Sequence, residues 1–298
     1  MRELFYKIIY NGYINSVLLR MNKLVNTIFP GSIKLSPSGM ISMPTEGARI
    51  IFYTNQTSYI TQFIYWNGYK KFEYSIIFLD LIKKVESFYD IGANIGYFSF
   101  LAVSANKNIK VTCFEPSNGA WHYLKKNIEA NNFIGNITAE KIALLDTEGE
   151  VDFYEVQNRK YKYLQYNLSG EASTAGTGHH PNFNKYSVTS TTLDKYVERN
   201  KVNKIDLIKI DTEGCEHLIL KAAAYTIEKF QPIIICETLF EVIEDKLESI
   251  MKTHNYRFFN HDGDRLVEVD SISRTQDNGV RNCFFVPTSK IHLIEKYL

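Results

Sequence analysis

From residue 86 onward, short runs rich in Ile, Val and Phe alternate with stretches of helical periodicity, and this alternation restricts the fold more than any other feature of the chain. "SFYDIG", "KVTCFEP", "ITAEKIALLD", "GEVDFYEV", "KIDLIKIDTEG" and "PIIICET" read as strands. "YFSFLAVSAN", "GAWHYLKKNIEANN", "TTLDKYVERN", "EHLILKAAAYTIEKF" and "EVIEDKLESIMKTHNY" read as helices between them. Strands that are apolar nearly throughout must be covered on both faces, which is the situation of parallel strands joined by crossover helices. "RFFNHDGDRLVEVD" reads as a hairpin and "NCFFVP" as a closing strand. The expectation is an α/β protein with a doubly wound, mainly parallel sheet. Upstream, residues 33–66 read as short strands and turns, and a helix follows around 72–84. This divides the chain into an N-terminal extension, 1–70, and a main domain, 71–298.

Composition excludes several classes. The net charge of +1 gives no whole-protein attraction to nucleic acid. The four cysteines lie far apart without metal-ligand spacing, which suits buried thiols in a reducing, cytoplasmic setting. No apolar run reaches the roughly 18 residues of a spanning helix. Residues 1–29 place apolar side chains at helical spacing among Arg2, Lys7, Arg20 and Lys23. The first reading is a helix packed on the main domain; the second is a basic helix making peripheral contact with a membrane surface.

The first strand of the alternation ends in "DIGANIG", residues 90–96. A strand that closes on a carboxylate and two glycines, then restarts as a helix, lets a ligand approach bare backbone and free N–H donors. A diphosphate cradle of the GxGxxG form needs glycine where Asn94 stands, and Asp90 would repel phosphate. The next strand ends in Glu115, placed to accept hydrogen bonds from both hydroxyls of a ribose. Adenosine without a diphosphate, joined to a cation, describes S-adenosylmethionine with its sulfonium and ammonium groups.

The same residues, with "NGYKKFE" (67–73), "YDIGANIGYFS" (89–99), "FEPS" (114–117), "IALLDTEGEVDFYE" (142–155), "TTLDKY" (191–196), "IDLIKIDTEGCEHLIL" (205–220), "PIIICE" (232–237) and "CFFVP" (283–287), resemble the FkbM family of S-adenosylmethionine-dependent methyltransferases. The resemblance implies a class I methyltransferase (Rossmann-like) fold with a seven-stranded sheet and a last antiparallel strand. It implies transfer of a methyl group to a hydroxyl of a sugar, glycolipid or glycosylated metabolite. Asp90, Gly92, Ala93, Asn94 and Gly96 would wrap the amino-acid end of the cofactor. Glu115 would hold the ribose, with Pro116 fixing the turn, and Ala143, followed by Leu144, would meet adenine through its backbone. Residues 1–50 and 157–188 lie outside these motifs, so acceptor choice is expected there. Two alternatives stay open: N-methylation of a peptide or small molecule, and a nucleotide-binding oxidoreductase, against which Asn94 argues.

Asp211 ends a strand beside the cofactor strand, Glu213 follows it, and Glu237 ends the next strand. Carboxylates at one sheet edge can bind the acceptor, with one member as general base. They can instead hold a divalent cation, for which a hard ion such as magnesium is the candidate. His180, beside His179 in "SGEASTAGTGHHPN", is a further candidate base. The tyrosines of "YKYLQYN" (161–167) offer either a sugar-stacking platform or an edge strand. Lys209, inside an apolar strand, calls for a carboxylate partner, and Glu73 reads equally as an ion-pair member or a site residue.

Overall fold

A computed structural model describes residues 2–170, 174 and 182–298. Helices α1 (Arg2–Ile9) and α2 (Gly12–Ile28) precede a hairpin of β1 (Gly39–Pro44) and β2 (Arg49–Thr54), then α3 (Tyr59–Asn67) and α4 (Ser75–Ile82). The alternation follows as β3 (Ser87–Ile91), α5 (Tyr97–Ala105), β4 (Lys110–Phe114), α6 (Asn118–Ala130), β5 (Ile137–Glu140), β6 (Ala143–Leu144), β7 (Gly149–Val156) and β8 (Phe183–Thr191). It continues with α7 (Leu193–Arg199), β9 (Leu207–Ile210), α8 (Glu216–Lys221), α9 (Ala224–Phe230), β10 (Ile233–Glu237) and α10 (Glu244–Met251). Strands β11 (Tyr256–Asp262), β12 (Arg265–Val269) and β13 (Asn282–Pro287) complete it.

The main sheet runs in the order β12-β11-β13-β10-β9-β3-β4-β5. It is parallel from β10 to β5, while β13 pairs antiparallel with both β10 and β11. It therefore carries eight strands rather than seven, the added one being β12, the hairpin partner of β11. The order in which strands are added reverses between the parallel neighbours β3 and β9, and a crevice opens at the carboxyl ends of strands at such a switch point.

The two-residue strand period sends alternate side chains into two separate cores. Phe88, Leu207, Ile233 and Ile235 join Phe78, Phe100 and Leu124 on one side. Tyr89, Ile208, Ile210, Ile234 and Cys236 join Leu193, Leu220 and Leu247 on the other. All four cysteines are buried and none forms a disulfide among the described residues; Cys113, Cys236 and Cys283 lie in apolar strands.

Several segments depart from the sequence reading, among them Tyr59–Asn67, read as strand and turn but folded as α3. "ITAEKIALLD" divides at Lys141–Ile142: β5 stays in the main sheet, and β6 joins a second sheet of order β6-β8-β7. "EHLILKAAAYTIEKF" breaks into α8 and α9. Strand β8 was not anticipated because its sequence is polar, although Tyr186, Val188 and Ser190 alternate towards the interior. In the N-terminal segment the helix also breaks, and the Asn11 side chain caps α2 by accepting from Tyr13 N at 3.2 Å.

The β1–β2 hairpin is tied to the main domain by asparagine amides that stand in for a neighbouring strand. Asn127 Oδ1 accepts from Tyr53 N at 2.6 Å, and its Nδ2 donates to Tyr53 O and to Ile95 O, both at 3.3 Å. One helical turn further, Asn131 does the same for Ile51, at 2.8 and 2.7 Å. Helix spacing of four thus matches strand spacing of two. Asn127 is fully buried, so Asn127→Ala strands three backbone groups and should cost on the order of 2–4 kcal/mol in urea unfolding. Asn131→Ala, nearer solvent, should cost about half that. A loss below about 1 kcal/mol for Asn127→Ala would mean that the apolar contacts of β2 hold the hairpin unaided.

Candidate functional site

The crevice at the β3/β9 switch point is organised by one buried cation. Lys209 is 4% exposed, and its Nζ lies 3.7 Å from Asp90 Oδ1 and 3.3 Å from Asp211 Oδ2. It also donates to the Gly92 carbonyl at 2.7 Å. Burial works against the charge of Lys209, but Asp211, Asp90 and Glu73 outweigh it and hold the ammonium protonated. Asp90 and Lys209 are register partners on adjacent strands, so the ion pair crosses the switch point itself.

The glycine turn is stitched to the next strand. Gly92 has φ +74, and a Cβ there would stand 1.8 Å from the Asp211 carbonyl oxygen. The sequence suggested that this glycine leaves room for a ligand; in the structure the neighbouring backbone already fills that place. Asn94 also has a positive φ, 51, and its N–H donates to Glu115 Oε2 at 2.7 Å. Glu115 Oε1 accepts from Ser117 N at 2.9 Å. Burial raises the Glu115 carboxyl to about 7, with these two N–H bonds pulling the other way. Each oxygen retains a lone pair for a ribose hydroxyl.

Gly92, Ala93, Asn94, Glu115, Pro116, Ala143 and Leu144 line one cavity together with Asp211, Glu213 and Glu237. Two expected residues do not. Asp90 is 1% exposed, and its Oδ2 accepts from Ser99 N and Ser99 Oγ at 3.1 and 2.6 Å, so it anchors the start of α5. Gly96 starts α5 at φ +91, where a Cβ would meet Phe100 and Leu124. Its role is packing. His180 lies outside the described residues.

On the acceptor side, Asp211, Glu213 and Glu237 each bring a carboxylate oxygen within 4.8 Å of the others. Burial and the nearby Asp211 push the Glu237 carboxyl far above its ordinary range. Glu73 lines the same cavity from the segment before α4. Surrounding protein and the charge of Asp211 raise it to about 7, although solvent still reaches it. Sequence reading left Glu73 undecided because no periodicity places it; its left-handed backbone, φ 42, is visible only in the fold. Ser117 and Thr212 also reach the cavity and were not anticipated. Glu216 serves the β9–α8 turn instead, accepting from Thr212 N at 2.6 Å and Gly214 N at 3.0 Å.

The tyrosines of residues 161–167 do not line the cavity. Tyr161 packs edge-on against Tyr6 and Tyr10, Tyr163 accepts from Gln56, and Tyr166 stacks on His122. They bind this segment to its neighbours.

Five carboxylates line the cavity, and Lys209 is the one lysine or arginine among the described residues there. That donor set repels phosphate and suits a ligand carrying a sulfonium and an ammonium group. The turn, Glu115 and the backbone at Ala143 fit the amino-acid, ribose and adenine parts of S-adenosylmethionine.

The family model of the methyltransferase FkbM domain matches residues 90–258. Solved structures with detectable similarity include an FkbM methyltransferase from Methylobacillus flagellatus KT, 15% identical with a TM-score of 0.46, covering 76% of this chain and 54% of that one. The chain therefore spans about half the length of that relative. A putative caffeoyl-CoA O-methyltransferase from Staphylococcus aureus is 14% identical with a TM-score of 0.41, covering 71% of this chain and 80% of that one. TrmK from M. capricolum, in complex with S-adenosyl-homocysteine, is 13% identical with a TM-score of 0.38, covering 70% and 65%. No curated protein matches the chain.

The raised Glu115 carboxyl gives a stability prediction. Stability from its neutral form is fully present below the unfolded value of 4.5 and is lost as pH rises through about 7. Glu115→Gln is neutral throughout, so its stability relative to the parent should improve between pH 5 and 8, by up to roughly 3 kcal/mol. Any lost hydrogen bond is a constant offset. Denaturant midpoints for both proteins across that range measure the difference, and a pH-independent gap would refute the burial argument.

Proposed function

The chain belongs to the FkbM methyltransferase family, residues 90–258 being an S-adenosylmethionine-dependent methyltransferase domain, and from that premise we propose that it methylates a hydroxyl of a sugar, glycolipid or glycosylated metabolite. The observation that carries this reading is the group of carboxylates, Asp211, Glu237 and Glu73, across the cavity from the cofactor turn. A sugar hydroxyl is a weak acid, and its proton must leave as the carbon–oxygen bond forms. A carboxylate positioned beside the hydroxyl can accept that proton.

Bound S-adenosylmethionine supplies an electrophilic methyl group on a sulfonium. Glu115 holds the ribose, the 92–94 backbone borders the amino-acid end, and Ala143 and Leu144 cover the adenine. Asp211 and Glu237 orient the acceptor hydroxyl, and one of them takes its proton. Lys209 keeps Asp211 in place and ties it to the cofactor turn.

A second reading has one observation behind it. The close approach of Asp211, Glu213 and Glu237 is that of a hard-cation site, where magnesium would lower the pKa of the hydroxyl instead. N-methylation of a peptide or small molecule needs no such base when the amine arrives neutral.

Glu115→Ala should weaken S-adenosylmethionine binding by about 2–3 kcal/mol in calorimetry. Asp211→Asn and Glu237→Gln should keep cofactor affinity and lose about 10²–10⁴-fold in turnover. The assay uses labelled cofactor and a cell extract, with the labelled product identified by mass spectrometry. Label on a sugar oxygen supports the proposal; label on nitrogen overturns it. Loss of activity with a chelator and recovery with magnesium would select the cation reading over the general base.

A further inference from the structure

Helix α2 presents its faces to protein and solvent in the reverse of the usual order. The side that meets the body of the protein is polar. Asn15, fully buried, donates to Ile9 O at 3.1 Å and Ser36 O at 3.3 Å and accepts from Ser38 N at 2.7 Å. Two turns on, Asn22 donates to Ile33 O at 2.9 Å and accepts from Leu35 N at 2.7 Å. Leu19, between them, is the one buried apolar residue of this helix.

The solvent side carries Ile14, Val17, Met21, Leu24, Val25 and Ile28, spaced by three and four residues and therefore one stripe. Leu24 is 67% and Ile28 69% exposed. Leu4, Phe5 and Ile8 of α1 add to the exposed apolar surface, and Tyr13 and Ile33 are each 89% exposed. A contiguous apolar face of this kind on a soluble chain marks an interaction surface.

Charge identifies the occupant. Residues 1–34 contain Arg2, Lys7, Arg20, Lys23 and Lys34 against a single acid, Glu3. The chain as a whole nets only +1, so the remainder is net acidic. Among the described residues no helix is long and apolar enough to cross a membrane. An apolar stripe on a helix too short to span, in a segment with five basic residues and one acid, is the pattern of an element lying in the plane of a bilayer interface.

We infer that α1 and α2 form a docking surface for an anionic lipid bilayer, with the α2 stripe at the acyl boundary and the lysines and arginines among the headgroups. The contact reaches the cavity through the chain. Tyr161 packs on Tyr6 and Tyr10, and a few residues further the same segment lines the cavity with Leu168, Ser169 and Gly170. The inference does not depend on the identity of the acceptor.

The test is flotation of the full chain with vesicles of phosphatidylcholine alone or mixed with equal phosphatidylglycerol. The chain should float with the mixed vesicles, more weakly with neutral ones, and less as salt rises. Val17→Glu combined with Leu24→Glu should reduce binding by at least tenfold. Arg20→Glu combined with Lys23→Glu should reduce it by about fivefold per charge. Both variants should bind S-adenosylhomocysteine as the parent does, which separates lost docking from lost folding. Failure of the parent to float, or undiminished flotation of the Val17/Leu24 variant, would overturn the inference. So would a dimer in sedimentation, dissociated by the same variant, without vesicle binding; the stripe would then be an interface between copies.

Discussion

The contact on which the crevice depends is the ammonium of Lys209, buried between strands β3 and β9. Its three partners come from both sides of the switch point: Asp90 on β3, Asp211 just past β9, and the Gly92 carbonyl in the turn. A lysine in a low-dielectric interior is costly alone, and removing both carboxylates would leave an uncompensated charge. The arrangement therefore fixes more than it stabilises. It ties the parallel strands together where the strand order switches, and it holds Asp211 at the lip of the cavity.

Around this cation the cavity is strongly acidic, and the acids divide by role. Asp90 and Glu216 are spent on the chain itself, one anchoring the start of α5 and the other closing the turn before α8. Glu115 is shared, since it gathers the glycine turn with one lone pair per oxygen and keeps the others. Glu73, Asp211 and Glu237 face the remaining space, with the Glu237 carboxyl raised by burial and by the negative charge of Asp211. Position in the fold, not type of residue, separates the carboxylates bound to the chain from those that face the cavity.

The segments outside the alternation are attached by polar side chains. Asn127 and Asn131 pair with the backbone of β2, and Asn15 and Asn22 hold α2 to the chain that follows it. Amides can satisfy both a donor and an acceptor of another backbone at once, which suits the attachment of an element that shares no sheet ladder with the main domain. On α2 this leaves the apolar stripe exposed among the described residues.

The local pattern of the chain determined the strands β3, β4, β7, β9 and β10, the helices α5, α6 and α7, and the sites where carboxylates end strands. These follow from side-chain periodicity and turn chemistry, which are properties of neighbouring residues. The same reading could place Gly92, Glu115 and Asp211 at the crevice because strand order and handedness follow from the alternation. Tertiary structure decided the rest. Gly92 is required by a carbonyl more than a hundred residues away, Asp90 is turned to Ser99, and Glu73 enters the cavity through a left-handed backbone position. Strand β8 forms because β7 offers it a ladder, despite its polar sequence. Each of these depends on which distant backbone or charge lies across a few ångströms of space, and that information is absent from the order of neighbours along the chain.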